Sequence, residues 1–198
     1  MNSFATTMKK HRGTVSAIAL VLAVAAIFWV VNSPAVVGAS STQRVLPIYS
    51  VQRDDKTVAI SFDAAWGNED TQKLIDTLKK YGVNATFFVV GDWVDKYPES
   101  VKALAAAGNE VMNHSSDHAH FAKLSADEIK TNVSKCSDKI EAVTGVRPTL
   151  FRCPYGEYND TVVSTVNSMG MQTVQWSVDS LDWKAFPRRR SRTEFLKT

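Results

Sequence analysis

Short apolar runs alternating with amphipathic ones predict an α/β protein built on a parallel sheet or barrel. Three observations carry this. Five apolar runs of strand length are separated by four stretches whose apolar residues recur at helical spacing. Gly82, Gly108, Gly145 and Gly170 each stand just past a helical stretch, where a left-handed exit residue is wanted. The chemistry-bearing polar residues follow the strands, not the helices.

In chain order, TVAISF at 57–62 reads as a buried strand, and 69–81 as a helix through Leu74, Ile75 and Leu78, with Glu69 and Asp70 as first-turn acids. ATFFVV at 85–90 is the second strand. A helix from Pro98 to Gly108 begins with a favourable first-turn residue. Residues 110–113 form a short third strand. Ser125 and Glu128 make a capping box opening a helix that runs to Gly145. A strand at 149–152, a helix at 160–169 and a strand at 171–177 complete the rhythm. A short extended piece is expected near 45–51, and no segment repeats.

The chain of 198 residues has room for one domain. Its 44% hydrophobic and 22% charged composition excludes collagen, low-complexity disorder and disulfide-dense scaffolds. The net charge of +3 invites a nucleic-acid partner, but the ends carry +3 (residues 1–14) and +4 (185–198), leaving the body at −4. A mildly acidic body argues against nucleic acid.

Residues 15–31 are apolar and uncharged, and Lys9, Lys10, His11 and Arg12 precede them. At 1.5 Å per residue the run reaches about 25 Å, near the lower limit for crossing a bilayer core. Residues 1–12 are therefore expected as a cytoplasmic tail, 13–32 as a transmembrane signal-anchor and 33–54 as a linker. The domain then lies outside the cytoplasm, secreted instead if cleavage follows Val37-Gly38-Ala39. Cys136 and Cys153 are too few for a disulfide framework, although an oxidising location permits one bridge.

Asp63 follows the first strand, and His114 and His118 the third. Arg152 with Pro154-Tyr155-Gly156 follows the fourth, and Asp179 with Asp182-Trp183 the fifth. In a parallel α/β architecture all strand C-termini open on one face, so four separate segments converge there. Each residue also has a structural alternative. Asp63 could close an Asx-turn, Arg152 could be half of an ordinary ion pair, and Trp183 could be core. The H-x3-H spacing of His114 and His118 can bring two imidazoles onto one metal, but is a weak signal alone.

The ordered segments SFDAAWGNEDT, NHSSDH, FRCPYG and DSLDW resemble the NodB-homology polysaccharide deacetylases, carbohydrate esterase family 4. The resemblance is strongest to sporulation-associated members of Gram-positive spore formers, and it covers residues 55–184. It implies a distorted (β/α) barrel and removal of N-acetyl groups from a peptidoglycan or chitin-like amino-sugar polymer. His114 and His118 match the metal-binding histidines, usually for Zn²⁺, and Asp63 the base that deprotonates the attacking water. Arg152 matches the residue orienting that base, and Tyr155 the backbone N–H that helps hold the oxyanion. Asp179 matches the aspartate that tunes a histidine acid, and Trp183 a groove wall.

Two departures stand against the family pattern. Ala64 replaces the aspartate expected as third metal ligand, leaving Asp70, from the start of the next helix, or a water to fill the gap. The fifth motif, which supplies the histidine acid, is absent, so a barrel lacking its last units is expected. The basic tail 185–198 does not resemble the continuation. One added nucleotide in an allowed back-translation turns it into GLSAQEIANRVFK, as a frameshift would. The chain is therefore expected to be weak or inactive relative to an intact deacetylase, and the competing reading is a membrane-tethered, non-catalytic glycan-binding protein.

Overall fold

The computed structural model describes residues 12–32 and 44–184. The chain divides into two compact units, Met1–Arg44 and Val45–Thr198. In the first, the apolar segment forms helix α1 (Arg12–Val31), whose described side chains, from Val15 on, are exposed. Among the described residues no helix is long and apolar enough to cross a membrane. The expected linker 33–54 is described only from Arg44, and the tail 185–198 lies outside the described residues.

The second unit runs β1 (Ser61–Ala64), α2 (Thr71–Tyr81), β2 (Thr86–Val89), α3 (Gly91–Lys96), α4 (Pro98–Ala106), β3 (Glu110–Asn113), α5 (Ala126–Thr144), β4 (Leu150–Phe151), α6 (Asp160–Ser168) and β5 (Gln172–Thr173). The strands form one parallel sheet in the order β1-β2-β3-β4-β5. Each strand lies beside its predecessor, as in the wall of a (β/α) barrel.

The helices form for the reasons the sequence shows. On α5, Ile129, Val133, Cys136 and Ile140 recur at helical spacing and are all fully buried. Its capping box forms as expected: the Ser125 hydroxyl oxygen accepts from the Glu128 N–H, and the Glu128 carboxylate accepts from the Ser125 N–H. Ile75 and Leu78 bury one face of α2, and Lys79 and Lys80 lie in its last turn, where the helix dipole favours cations. The four expected exit glycines all take positive φ, between 62° and 83°. Two apolar clusters lie between sheet and helices. One joins β1, β2, α2, α4 and the C-terminal half of α5, and the other joins β4, α6 and the N-terminal half of α5.

Three strand expectations need correction. The first strand begins at Ser61 and includes Asp63, while Val58 is 82% exposed, not buried. β1 is an edge strand among the described residues, so its approach is covered on one side only. β4 and β5 are two residues each, shorter than 149–152 and 171–177 suggest. On its outer side β5 is continued by the expected extended piece. Ile48 bridges Val174, its N–H donating to the Thr173 carbonyl at 2.8 Å while its carbonyl accepts from the Gln175 N–H at 2.8 Å. Helix α3 carried no sequence expectation.

Candidate active site

Register places the site. Ala64, Val89, Asn113 and Phe151 lie in one row across β1–β4. Side chains alternate faces along a strand, so this row points to the helices, and Asp63 and Phe88 point to the other face. His114 and Arg152 follow one residue after Asn113 and Phe151, which turns them to the face that carries Asp63.

There the Arg152 Nη1 donates to Asp63 Oδ1 at 2.8 Å. The guanidinium is almost wholly buried, 4.0 Å above the centroid of the Phe88 ring and 5.7 Å from that of Trp176. Asp63 keeps a third of its side chain exposed. Its carboxylate is thus clamped on one oxygen and open to the cleft, as a proton acceptor needs. Asp63 Oδ2 lies 3.9 Å from His114 Nε2.

His114 Nδ1 is 2.8 Å from the Arg152 carbonyl oxygen. A carbonyl only accepts, so Nδ1 carries the hydrogen and Nε2 presents its lone pair. The His118 ring meets that of His114 edge-on, 5.2 Å between centroids, and its Nδ1 is buried without a hydrogen-bond partner. Burial pushes the pKa of His114 down. Burial, and then the neighbouring His114, push His118 down to about 4. Both imidazoles are therefore neutral near pH 7, with lone pairs available.

The loop that joins them is strained. Ser115 and His118 have left-handed φ of 75° and 57°, each costing about 1 kcal/mol in a residue with a Cβ. Asn113 Oδ1 accepts the Ser115 N–H at 2.8 Å, and Ser115 Oγ accepts the His118 N–H at 2.9 Å.

An aromatic rim surrounds His118. The rings of Trp66 and Tyr155 both meet it edge-on, with centroids 4.9 and 4.5 Å away. Trp66 is 78% exposed and Tyr155 53%. Tyr155 also lies flat on His120, 4.3 Å between centroids, and His120 Nδ1 pairs with Glu157 at 2.8 Å. Tyr155 has φ 59°, another strained residue. The buried Trp93 donates to the Gly67 carbonyl and so fixes the turn that carries Trp66.

Five of the seven expected site residues are thus assembled: Asp63, His114, His118, Arg152 and Tyr155. Asp179 and Trp183 are not joined to them. The Asp179 carboxylate accepts the Leu181 N–H within its own turn, and Trp183 is 70% exposed with the Lys184 ammonium over its ring. No strand ladder carries the chain beyond Val174 among the described residues, so the contacts of these two side chains are local to their own turn. Trp66, His120, Glu157 and Asn113 carried no expectation; the one available signal was Trp66's place two residues after Ala64.

Two neutral imidazoles, one with an orphaned buried nitrogen, are a donor set that fits a borderline cation such as Zn²⁺. They give two ligands where a catalytic zinc usually has three. Ala64 packs against the apolar cluster, and Asp70 is exposed at the N-cap of α2. No trio of His, Cys, Asp or Glu suited to a metal forms among the described residues. The two thiols stand apart, Cys136 in one apolar cluster and Cys153 in the other, with no bridge.

The polysaccharide deacetylase family profile matches residues 50–174, more than half of the chain. The chain is 37% identical over 138 residues to the uncharacterized protein YlxY of Bacillus subtilis (strain 168), which covers 70% of this chain and 43% of that protein. It is 41% identical over 135 residues to the peptidoglycan-N-acetylmuramic acid deacetylase PdaC of the same organism, covering 68% and 28%. Among solved structures, a CE4 family pseudoenzyme from Bacillus anthracis matches with a TM-score of 0.74 at 35% identity, over 77% of this chain and 54% of that one. The chain spans less than half the length of these curated relatives.

Proposed function

The chain belongs to the polysaccharide deacetylase family, and from that premise we propose that it hydrolyses N-acetyl groups on an amino-sugar polymer of the peptidoglycan or chitin type. The observation that carries this is the convergence of an Arg152-clamped Asp63 with two neutral imidazoles beneath an exposed aromatic rim.

An amide is a poor electrophile with a poor leaving group. His114 and His118 would hold a divalent cation, Zn²⁺ by preference, and the bound cation supplies Lewis acidity toward the carbonyl and the attacking water. Asp63 accepts the proton of that water, and Arg152 fixes which of its oxygens remains free. The Tyr155 peptide N–H faces the charge developing on the carbonyl oxygen. The proton taken by Asp63 is the one the departing amine requires, so the carboxyl can return it. Trp66 and Tyr155 offer aromatic faces to the apolar side of a pyranose ring.

The remaining parts of the reading follow from sequence. Residues 13–32 anchor the chain in the membrane, 33–54 link, and 55–184 work outside the cytoplasm within a (β/α) barrel. Asp179 and Trp183 belong to the same groove, as their motif implies. Fractionation of expressing cells with protease applied from outside tests the anchor and its orientation.

The test of activity is acetate release from N-acetylated chitooligosaccharide and peptidoglycan, with Zn²⁺ or Co²⁺ added. Turnover abolished by chelator, by His114→Ala and by Asp63→Asn is expected. Glycan binding without any acetate release would replace this reading with a non-catalytic one.

A further inference from the structure

We propose that Asn132, on α5, is a positioning residue that holds the Ser115–His118 loop and thereby sets the distance between the two imidazoles. This rests on the reading of His114 and His118 as a metal-holding pair only for its consequence, not for the geometry.

The loop makes a strained turn between its histidines, so something outside it must oppose relaxation. Asn132 does so from a separate element. Its Oδ1 accepts the Ser116 N–H at 2.7 Å, and its Nδ2 donates to Asp117 Oδ1 at 2.8 Å. One half-buried amide thus grips the two consecutive residues that lie between the left-handed Ser115 and the left-handed His118. The opposite side is held by α3. The Gly91 and Asp92 N–H groups donate to the Ser115 and Ser116 carbonyls, both at 2.9 Å. Gly91 permits this approach, because a Cβ there would come within 3.1 Å of Ser116 backbone atoms. The Ser116 peptide is therefore clamped between two helices.

The anchor is firm for a reason visible in α5 itself. Val133 and Ile129, beside Asn132 in sequence, are fully buried, and the capping box closes the N-terminus one turn before them. A further α5 side chain, Ser137, and the Val133 carbonyl receive the Asn113 Nδ2 at 2.9 and 2.8 Å, so the root of the loop hangs on the same helix. The hydrogen bonds of the Asn132 amide go to Ser116 and Asp117, not to either imidazole. Asn132 acts by denying His118 the freedom to swing away from His114.

Three variants of the full chain test this, with amide hydrogen exchange and Zn²⁺ affinity by chelator competition as readouts. Asn132→Ala should speed exchange at Ser116 and His118 at least tenfold and weaken Zn²⁺ about tenfold, within the range for lost outer partners of metal ligands. Protection of the α5 core amides and the thermal midpoint should stay near wild type. Asn132→Asp sets two carboxylates against each other and should do worse. Asn132→Asp combined with Asp117→Asn reverses donor and acceptor and should recover most of both readouts. Unchanged exchange at Ser116 and His118 in Asn132→Ala overturns the proposal, as does loss of protection spread along all of α5. Failure of the double variant to recover also overturns it. If wild type takes up no Zn²⁺, the metal reading falls, and the exchange results still decide the role of Asn132.

Discussion

Arg152 Nη1 and Asp63 Oδ1 meet at 2.8 Å, joining the end of β4 to β1 across two intervening strands. Arg152 is buried and Asp63 is a third exposed, so the two partners are not equivalent. Removing Arg152 leaves a partly solvated carboxylate; removing the charge of Asp63 leaves a buried guanidinium with no counter-ion. Asp63→Ala is therefore expected to cost the more stability, about 2–4 kcal/mol, and Arg152→Ala less. Asp63→Asn keeps an oxygen that can accept from Arg152 but not the counter-charge, so it should lose part of that stability, less than Asp63→Ala, while turnover falls by about 10²–10⁴. Denaturant melts of the three variants beside an acetate-release assay check both halves.

The two imidazoles give metal-free protein a definite pH dependence. Their folded-state pKa values are depressed by burial, His118 to about 4, against an unfolded value of 6.5. Below pH 6.5 the unfolded chain binds protons that the folded chain refuses, so stability falls as pH falls. The contribution is full above 6.5 and is lost progressively toward pH 4. Urea midpoints measured with chelator between pH 4.5 and 7.5 should rise through this window, and His118→Gln should flatten the rise. A flat profile in wild type would contradict the burial of the pair.

Trp66 and Tyr155 are exposed and contribute little to the core. Trp66→Ala and Tyr155→Ala should change the melt by less than about 0.5 kcal/mol. Glycan affinity should fall roughly threefold to tenfold, consistent with one lost aromatic contact each. The effect is expected in KM, with kcat retained for Trp66→Ala.

Burial pushes both thiols up, Cys136 and Cys153 each to about 12. Thiolate is the reactive form, so the native thiols should label slowly at pH 8 and rapidly once the chain is unfolded. Equal labelling rates with and without urea would show that the clusters holding them are open. Substituting both by Ser should leave turnover intact, since neither belongs to the cleft.

The order of the strands and of α2, α4, α5 and α6 was legible because each of these helices has its own periodicity and a glycine just past its end, both local properties. The six-residue α3 ends at Tyr97 without a glycine and carried no expectation. Asp63, His114, His118, Arg152 and Tyr155 were legible too, because a parallel sheet sends every strand end to one face. Strand lengths were not, since a ladder exists only where a neighbour lies alongside: Thr57–Ile60 has the composition of a strand and the exposure of an edge. Asp179 and Trp183 were expected in the site by the same strand-end argument as well as by their motif, and no contact among the described residues joins them to it, because the ladder stops at Val174.

By itself the sequence determined the α/β alternation, the helix boundaries and which strand ends carry reactive side chains, because these follow from short-range spacing. Tertiary structure alone decided that Asp63 meets Arg152 across 89 residues, that His118 stands between Trp66 and Tyr155, and that Asn132 reaches back to the loop before its own helix. Those relationships depend on how helices and strands pack, and packing distances are not written in any local pattern.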